Sequence, residues 1–240
     1  MNATASYNIF PLGDSALLID YGNEMNLAIN KKILHQFRVL KEAKLFFITD
    51  IVPGYSSLAV HYNVALLHFK KTADNTVFET AMALISPYLS NNNEQQENTR
   101  LIKLPVCYQQ PFCLDMDTVA MQKKIDPEEI INLHVAETYR VYMLGFLPGF
   151  AYMGQVNDQI AIPRKPQPRA AVPAGSVGIA GGQTGIYPLT SPGGWQIIGR
   201  TPVPLFNKEQ NNPTLLQPGD TVQFFSITAN EFADYQSRPA

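Results

Sequence analysis

The apolar run in "DSALLIDYG" (14–22) reads as a strand, and a change of period follows it. Ile29, Ile33, Phe37 and Leu40 recur at helical spacing, with Lys31, Lys32 and Arg38 on other faces, which predicts an amphipathic helix. Two extended runs come next, "LFFITDIV" (45–52) and "SSLAVHYNVALLHFK" (56–70). A second helical pattern then passes through Val77, Phe78, Ala81, Met82 and Ile85. The order β-α-β-β-α predicts a small α/β domain of ferredoxin-like type. The pattern stops at "SNNNEQQENT" (90–99), a polar run with no apolar anchor, and a domain boundary is expected there, giving units 1–92 and 93–240.

Beyond the boundary "RLIKLPVCY" (100–108) reads as a strand. "IDPEEIINLHVAETY" (125–139) reads as a helix with Asp126 as cap, Pro127 at its first position and Glu128 and Glu129 in the first turn. From Tyr139 onward short β-like runs are cut by Gly and Pro, as in a barrel or sandwich. The expected class is therefore α+β: a small α/β domain followed by a mostly β domain.

Composition narrows the function classes. The chain has 240 residues, 45% of them hydrophobic, and a formal charge of −2, which argues against a nucleic-acid footprint or a polybasic membrane patch. No stretch approaches the roughly 20 apolar residues of a membrane span, and the first residues lack a signal-peptide pattern, so a cytoplasmic location is expected. Cys107 and Cys113 are too few for a zinc cage, and His35, His61 and His68 have no companions at ligand spacing, so no metal site is expected.

Against this background one stretch stands out. "PAGSVGIAGGQTGIYPLTSPGGW" (173–195) has no charged residue and is dense in glycine. Glycine permits positive φ and close backbone approach, so the stretch suits either a concave nest of N–H groups or barrel turns. Arg164 and Arg169 before it and Arg200 after it would rim such a floor with guanidinium forks, which favours a small anionic ligand, and Trp195 suits either a pocket wall or the core. "LGFLPGFAYMG" (144–154) reads as a strand and turn or as a pocket lip. His134 and Glu137, three apart, offer an acid/base pair or simply a capped helix. P-loop, nucleophile-elbow and H-E-x-x-H patterns are missing.

These motifs, with "LLQPGD" (215–220) and the N-terminal "GDSALLIDYG" and "DIVPGYSSLAVHY", resemble the first-half carboxyltransferase-like family: the B subunit of bacterial 5-oxoprolinase, allophanate hydrolase subunit 1 and the Kip-type histidine kinase inhibitor. The resemblance implies a ferredoxin-like N-terminal domain followed by a cyclophilin-like β-barrel. It also implies half of a shared site in an ATP-dependent complex that opens 5-oxoproline to glutamate. Partners would be a second-half carboxyltransferase-like subunit and a further hydrolase subunit, with ATP and Mg at the level of the complex and no biotin. Inhibition of a sensor histidine kinase, or half of a biotin-dependent urea-type carboxyltransferase, are the alternatives.

Carried over by motif, the resemblance makes His134 the acid/base candidate, beside Tyr139 at the helix end. It makes Phe146, Pro148, Gly149 and Phe150 the pocket lip. Arg164, Arg169, Gly182, Gln183, Thr184, Tyr187, Gly193, Gly194 and Arg200 would bind an anionic lactam or amide. One segment departs from the family pattern: "YQQPFCLDMD" (108–117) stands where many relatives are glycine-rich, and Gln109, Gln110 and Phe112 cannot follow a positive-φ path as easily.

Overall fold

The computed structural model describes residues 7–72, 74–89 and 99–237. The chain divides into two compact units, 1–97 and 98–240. The expected junction between residues 92 and 93 lies outside the described residues.

The first unit contains β1 (Asn8–Pro11), β2 (Ala16–Asp20), α1 (Leu27–Ala43), β3 (Ile48–Pro53), β4 (Ser57–Tyr62), α2 (Val64–His68) and α3 (Val77–Leu89). Its sheet is antiparallel in the order β1-β2-β4-β3. β2, β3 and β4 with α1 and α3 realise the expected β-α-β-β-α order, and β1, absent from the sequence reading, adds an outer strand through a hairpin. The two helical stripes do what their period predicts. Ile33, Leu40, Ala81 and Ile85 are buried in a core with Leu17, Ile19, Leu58 and Val60, and Ile29, Phe37, Val77 and Phe78 pack against it. The run 56–70 is not one strand. Asn63 caps a new helical turn by accepting the Leu66 N–H on Oδ1 at 3.1 Å, so α2 begins where the sequence reading continued the strand.

The second unit contains β5 (Leu101–Cys107), α4 (Met116–Lys123), α5 (Pro127–Ala136), β6 (Thr138–Leu144), β7 (Ala151–Gly154), β8 (Arg169–Val172), β9 (Ser176–Ala180), β10 (Gln183–Ile186), β11 (Ser191–Gly193), β12 (Gln196–Arg200), β13 (Thr221–Ile227) and α6 (Ala229–Ser237). Seven strands close a barrel in the order β10-β7-β6-β13-β5-β12-β9, the cyclophilin-like barrel that the resemblance implies, while β8 and β11 form a separate ribbon. β13 runs parallel to β5 over seven paired residues, from Thr221 opposite Leu101 to Ile227 opposite Cys107. An Arg100–Asp220 ion pair and the Thr221 N–H donating to Arg100 O lock that register. The barrel is filled by Leu104, Val106, Tyr139, Val141, Met153, Val177, Ile179, Ile186, Ile198, Val222 and Phe224. Asp126 stands at the N-cap of α5, but its carboxylate accepts no capping bond, so Pro127 and the acidic first turn mark that start. No helix among the described residues is long and apolar enough to cross a membrane.

Candidate functional site

Most glycines of the uncharged stretch make room for rings. Gly178 of β9 and Gly185 of β10 face each other in register, leaving a patch of bare backbone on the outside of the barrel. Trp195 lies on that patch. A Cβ at Gly185 would stand 3.0 Å from the indole and from Ala151 O, and one at Gly178 would stand 3.0 Å from Trp195 Cβ. At Gly193 a Cβ would overlap the Tyr187 ring, and Gly175, at φ +82°, turns tightly against Thr201 O. The result is a small second core of Phe150, Val172, Ala180, Tyr187, Trp195 and Ile197 outside the barrel. Its rings meet edge to face: Phe150–Trp195 at 5.5 Å and 83°, Phe150–Tyr187 at 5.2 Å and 88°.

The stretch is uncharged because most of it is buried. Of its glycines only Gly181 and Gly182, at the β9–β10 turn, face open space, and even there the Gly181 N–H is spent on Ile162 O. The expected nest is therefore reduced to the turn itself.

The cations gather at one edge of this aromatic layer. The Arg164 guanidinium lies 5.8 Å above the Trp195 ring centroid, and among the described residues it has no hydrogen-bond partner. Arg169 grips Asp115 with both terminal nitrogens, at 2.7 and 2.5 Å, and Lys165 Nζ donates to the same carboxylate at 2.9 Å. Asp115 Oδ2 also accepts the Ile197 N–H at 2.7 Å, so four donors satisfy a side chain that is 2% exposed. Burial pushes the Asp115 carboxyl up, but the bonds from Arg169, Ile197 and Lys165 outweigh it and hold the group below the usual carboxylate range. Burial raises the Tyr187 phenol, opposed by the Trp195 N–H and by the nearby Arg164 and Arg169 charges.

Arg200 is not part of this gathering. It lies at the other end of β12 from Gln196, its Nε donates to Ala174 O at 2.7 Å, and its guanidinium covers Phe232 of α6.

His134 is enclosed in the barrel core. Its ring stacks on Phe224 at 4.8 Å and is fully buried. Thr184 Oγ1 donates to Gly178 O at 3.1 Å, so at 3.0 Å from His134 Nε2 it can only accept. That fixes the tautomer: Nε2 carries the proton, and Nδ1 accepts from the Tyr108 hydroxyl at 2.8 Å. Burial pushes the imidazole pKa down to about 3, so the ring is neutral. Thr184 is thus turned inward, whereas Gln183, its neighbour on β10, is half-buried. Tyr139, expected beside His134, donates to His134 O at 2.9 Å.

In the lip, Phe146 is 61% exposed at φ +65°, with its ring edge-on to Phe150 at 5.6 Å. Gly149, at φ +83°, packs on Leu205 and Phe206, and Pro148 is exposed. The segment 108–117 has its own task. Gln109 Oε1 accepts the Ala229 N–H at 3.0 Å, Phe112 stacks on Phe232 at 4.3 Å, and Asp115 anchors the cations.

The structure thus brings Arg164, Arg169, Tyr187, Gly193, Gly194 and Phe150 to one face. It places Arg200 against Phe232 of α6, and His134 and Thr184 inside the barrel. Sequence reasoning missed Asp115 and Lys165. Lys165 was legible as a third cation beside Arg164, but nothing local marks Asp115 as buried.

A family model described as carboxyltransferase domain, subdomain C and D, matches residues 7–216. The B subunit of 5-oxoprolinase from Bacillus subtilis (strain 168) is 40% identical over 235 residues, covering 97% of this chain and 98% of that protein. Among solved structures, TTHA0988 superposes with a TM-score of 0.74 at 32% identity over 89% of this chain, which spans 40% of that chain. The Kluyveromyces lactis urea carboxylase, at 20% identity, shares the fold with a TM-score of 0.73 over 95% of this chain and 22% of its own. With a family model spanning most of its length and a relative alike from end to end, this chain belongs to the carboxyltransferase domain C and D family.

Proposed function

We propose that this chain is one component of an ATP-dependent 5-oxoprolinase complex of the cytoplasm, contributing half of a shared site and inactive alone. The observation that carries the reading is the 40% identity to the B subunit of a 5-oxoprolinase over nearly the whole of both chains. The cationic edge of the aromatic layer supports it, because the exposed Arg164 and the part-exposed Lys165 and Arg169 offer positive charge to a small carboxylate, while the buried Trp195, Phe150 and Tyr187 form the packed base beneath them.

In the complex the nucleotide, with Mg, supplies the phosphoryl group that activates the lactam oxygen. ADP departs, one water adds at the activated carbonyl carbon, and the C–N bond breaks with the nitrogen taking a proton, which leaves the side-chain acyl phosphate of glutamate; a second water cleaves that phosphate, giving glutamate and phosphate. Arg164, at the cationic edge that Arg169 helps to build, supplies positive charge to the carboxylate, and Gln183 with the open Gly181–Gly182 turn orients the amide. Phe146 closes over the ring from the lip. The neutral, doubly bonded His134 acts through Thr184, as a support for β10 beneath the site. A second-half carboxyltransferase-like subunit and a further hydrolase subunit complete the assembly.

Reconstitution tests this. ATP hydrolysis coupled to 5-oxoproline should appear when the partner subunits are added and be absent with this chain alone. A complex that consumes no ATP with 5-oxoproline, yet carboxylates urea with a biotinyl carrier, would overturn the reading.

A further inference from the structure

Three cations stand at the edge of the aromatic layer, and they are not equivalent. Both terminal nitrogens of Arg169 are committed to Asp115 in a fork. Lys165 gives one bond to the same carboxylate, which leaves two of its three N–H groups. Its backbone is pinned beside the indole, because its N–H donates to Gly194 O at 2.7 Å. Arg164, the next residue back, is exposed and, among the described residues, keeps all five of its donors over the face of Trp195. Asp115 neutralises one of the three charges, so the edge carries an excess of two. Lys165 and Arg169 are each about a quarter exposed while Asp115 is 2% exposed, so the carboxylate lies beneath and the cations face outward.

We propose that Arg164 and Lys165 are the pair that captures a ligand's carboxylate or phosphate, and that Arg169 and Asp115 are positioning residues that hold Lys165 in place. This rests on the reading of the face as a ligand site and divides the labour within it. The forked guanidinium of Arg169 has spent the geometry that best matches an oxyanion, whereas Arg164 has not. The anion comes to lie at the edge of the aromatic layer, between an uncommitted fork and an anchored ammonium. Its chemical class is a small carboxylic acid or phosphate whose anionic group reaches the two cations, because the indole beneath Arg164 is itself buried.

Trp195 is the only tryptophan of the chain, so its emission reports on this site directly. The full chain is titrated with 5-oxoproline, with inorganic phosphate, and with 2-pyrrolidinone, the same ring without its carboxylate. A saturable change is expected with the two anions and none with the neutral lactam. Arg164→Met and Lys165→Met should each weaken both anions about tenfold, the scale of one charge-assisted hydrogen bond. Arg169→Lys, which keeps a donor for Asp115, should preserve binding within a few-fold, and Arg169→Met should lose it.

In the reconstituted complex Lys165→Met should raise KM for 5-oxoproline with little change in kcat, a split that a merely structural lysine would not give. The proposal is overturned if the wild-type chain responds to neither anion, if the neutral lactam binds as well as 5-oxoproline, or if Arg164→Met and Lys165→Met leave anion affinity unchanged. An active complex whose KM ignores both substitutions sinks this assignment and spares the 5-oxoprolinase reading. Anion binding with the expected pattern in a complex that opens no 5-oxoproline does the reverse.

Discussion

His134 offers a quantitative test of the barrel interior. In the folded chain its pKa is pushed to about 3 by burial, against 6.5 ordinarily, so the folded state refuses a proton that the unfolded state accepts. The group therefore contributes stability that is fully present above pH 6.5 and is lost progressively as pH falls toward 3. Between pH 7.5 and pH 5 the loss amounts to about 2 kcal/mol, since each pH unit below the unfolded value costs roughly 1.4 kcal/mol.

The assay is urea unfolding followed by Trp195 emission, which reports on the second unit alone. His134→Gln is the comparison, because an amide can accept from Tyr108 and donate to Thr184 but does not titrate. The variant should be less stable at pH 7.5, through lost stacking on Phe224, and should show a pH dependence shallower by that ~2 kcal/mol. Carboxylate contributions are common to both proteins and cancel in the difference. Parallel curves for the two proteins between pH 7.5 and 5 would refute a neutral, enclosed imidazole.

Asp115→Ala removes the common acceptor of two cations and the Ile197 N–H. It should cost about 3 kcal/mol, the lower end for breaking a buried pair because the cations keep some solvent. The wild-type contribution of this depressed carboxyl is present above the ordinary carboxylate range and is lost as pH falls through its lowered pKa, so the gap between the two proteins in urea unfolding should narrow in acid. Gly193→Ala drives a methyl into the buried Tyr187 ring and should lower stability by about 1–3 kcal/mol, visible as a reduced Tm with altered Trp195 emission. Phe112→Ala removes the stack on Phe232, so the amides of α6 should exchange more than tenfold faster while those of β9 and β10 keep their protection; equal protection in α6 would contradict the docking.

Periodicity made the amphipathic helices α1 and α3 legible, because their apolar stripes face a single core. The short β runs after Tyr139 announced a barrel or a sandwich without deciding between them. What escaped lacks a period or depends on distant partners. β1 is four residues at the sheet edge, paired with β2 and packing Ile9 on the core, and α2 turns on the side chain of Asn63 inside an otherwise continuous apolar run. α4 has no clear apolar stripe, and the short stripe of α6 (Ala229, Phe232, Tyr235) is fixed by Gln109 and Phe112, more than a hundred residues earlier.

For the site, glycine signalled close approach, but spacing does not say whether a ligand or a ring makes it. At Gly178, Gly185 and Gly193 it is Trp195 and Tyr187. Arginine signalled an anion, but which arginine is already paired depends on Asp115, a residue that reads locally as part of an ordinary turn.

The parallel pairing of β13 with β5 has a bearing on biosynthesis. β13 is the seventh stave of the barrel and lies between β5 and β6, so during translation both neighbours wait for a strand that leaves the ribosome about a hundred residues after β5. Until then the growing domain is an open, curled sheet with two unsatisfied edges, the condition in which strands recruit neighbouring chains. Closure is then a single late event in which Arg100 and Asp220 meet across the seam, and a message truncated before codon 221 would encode a sheet that cannot close.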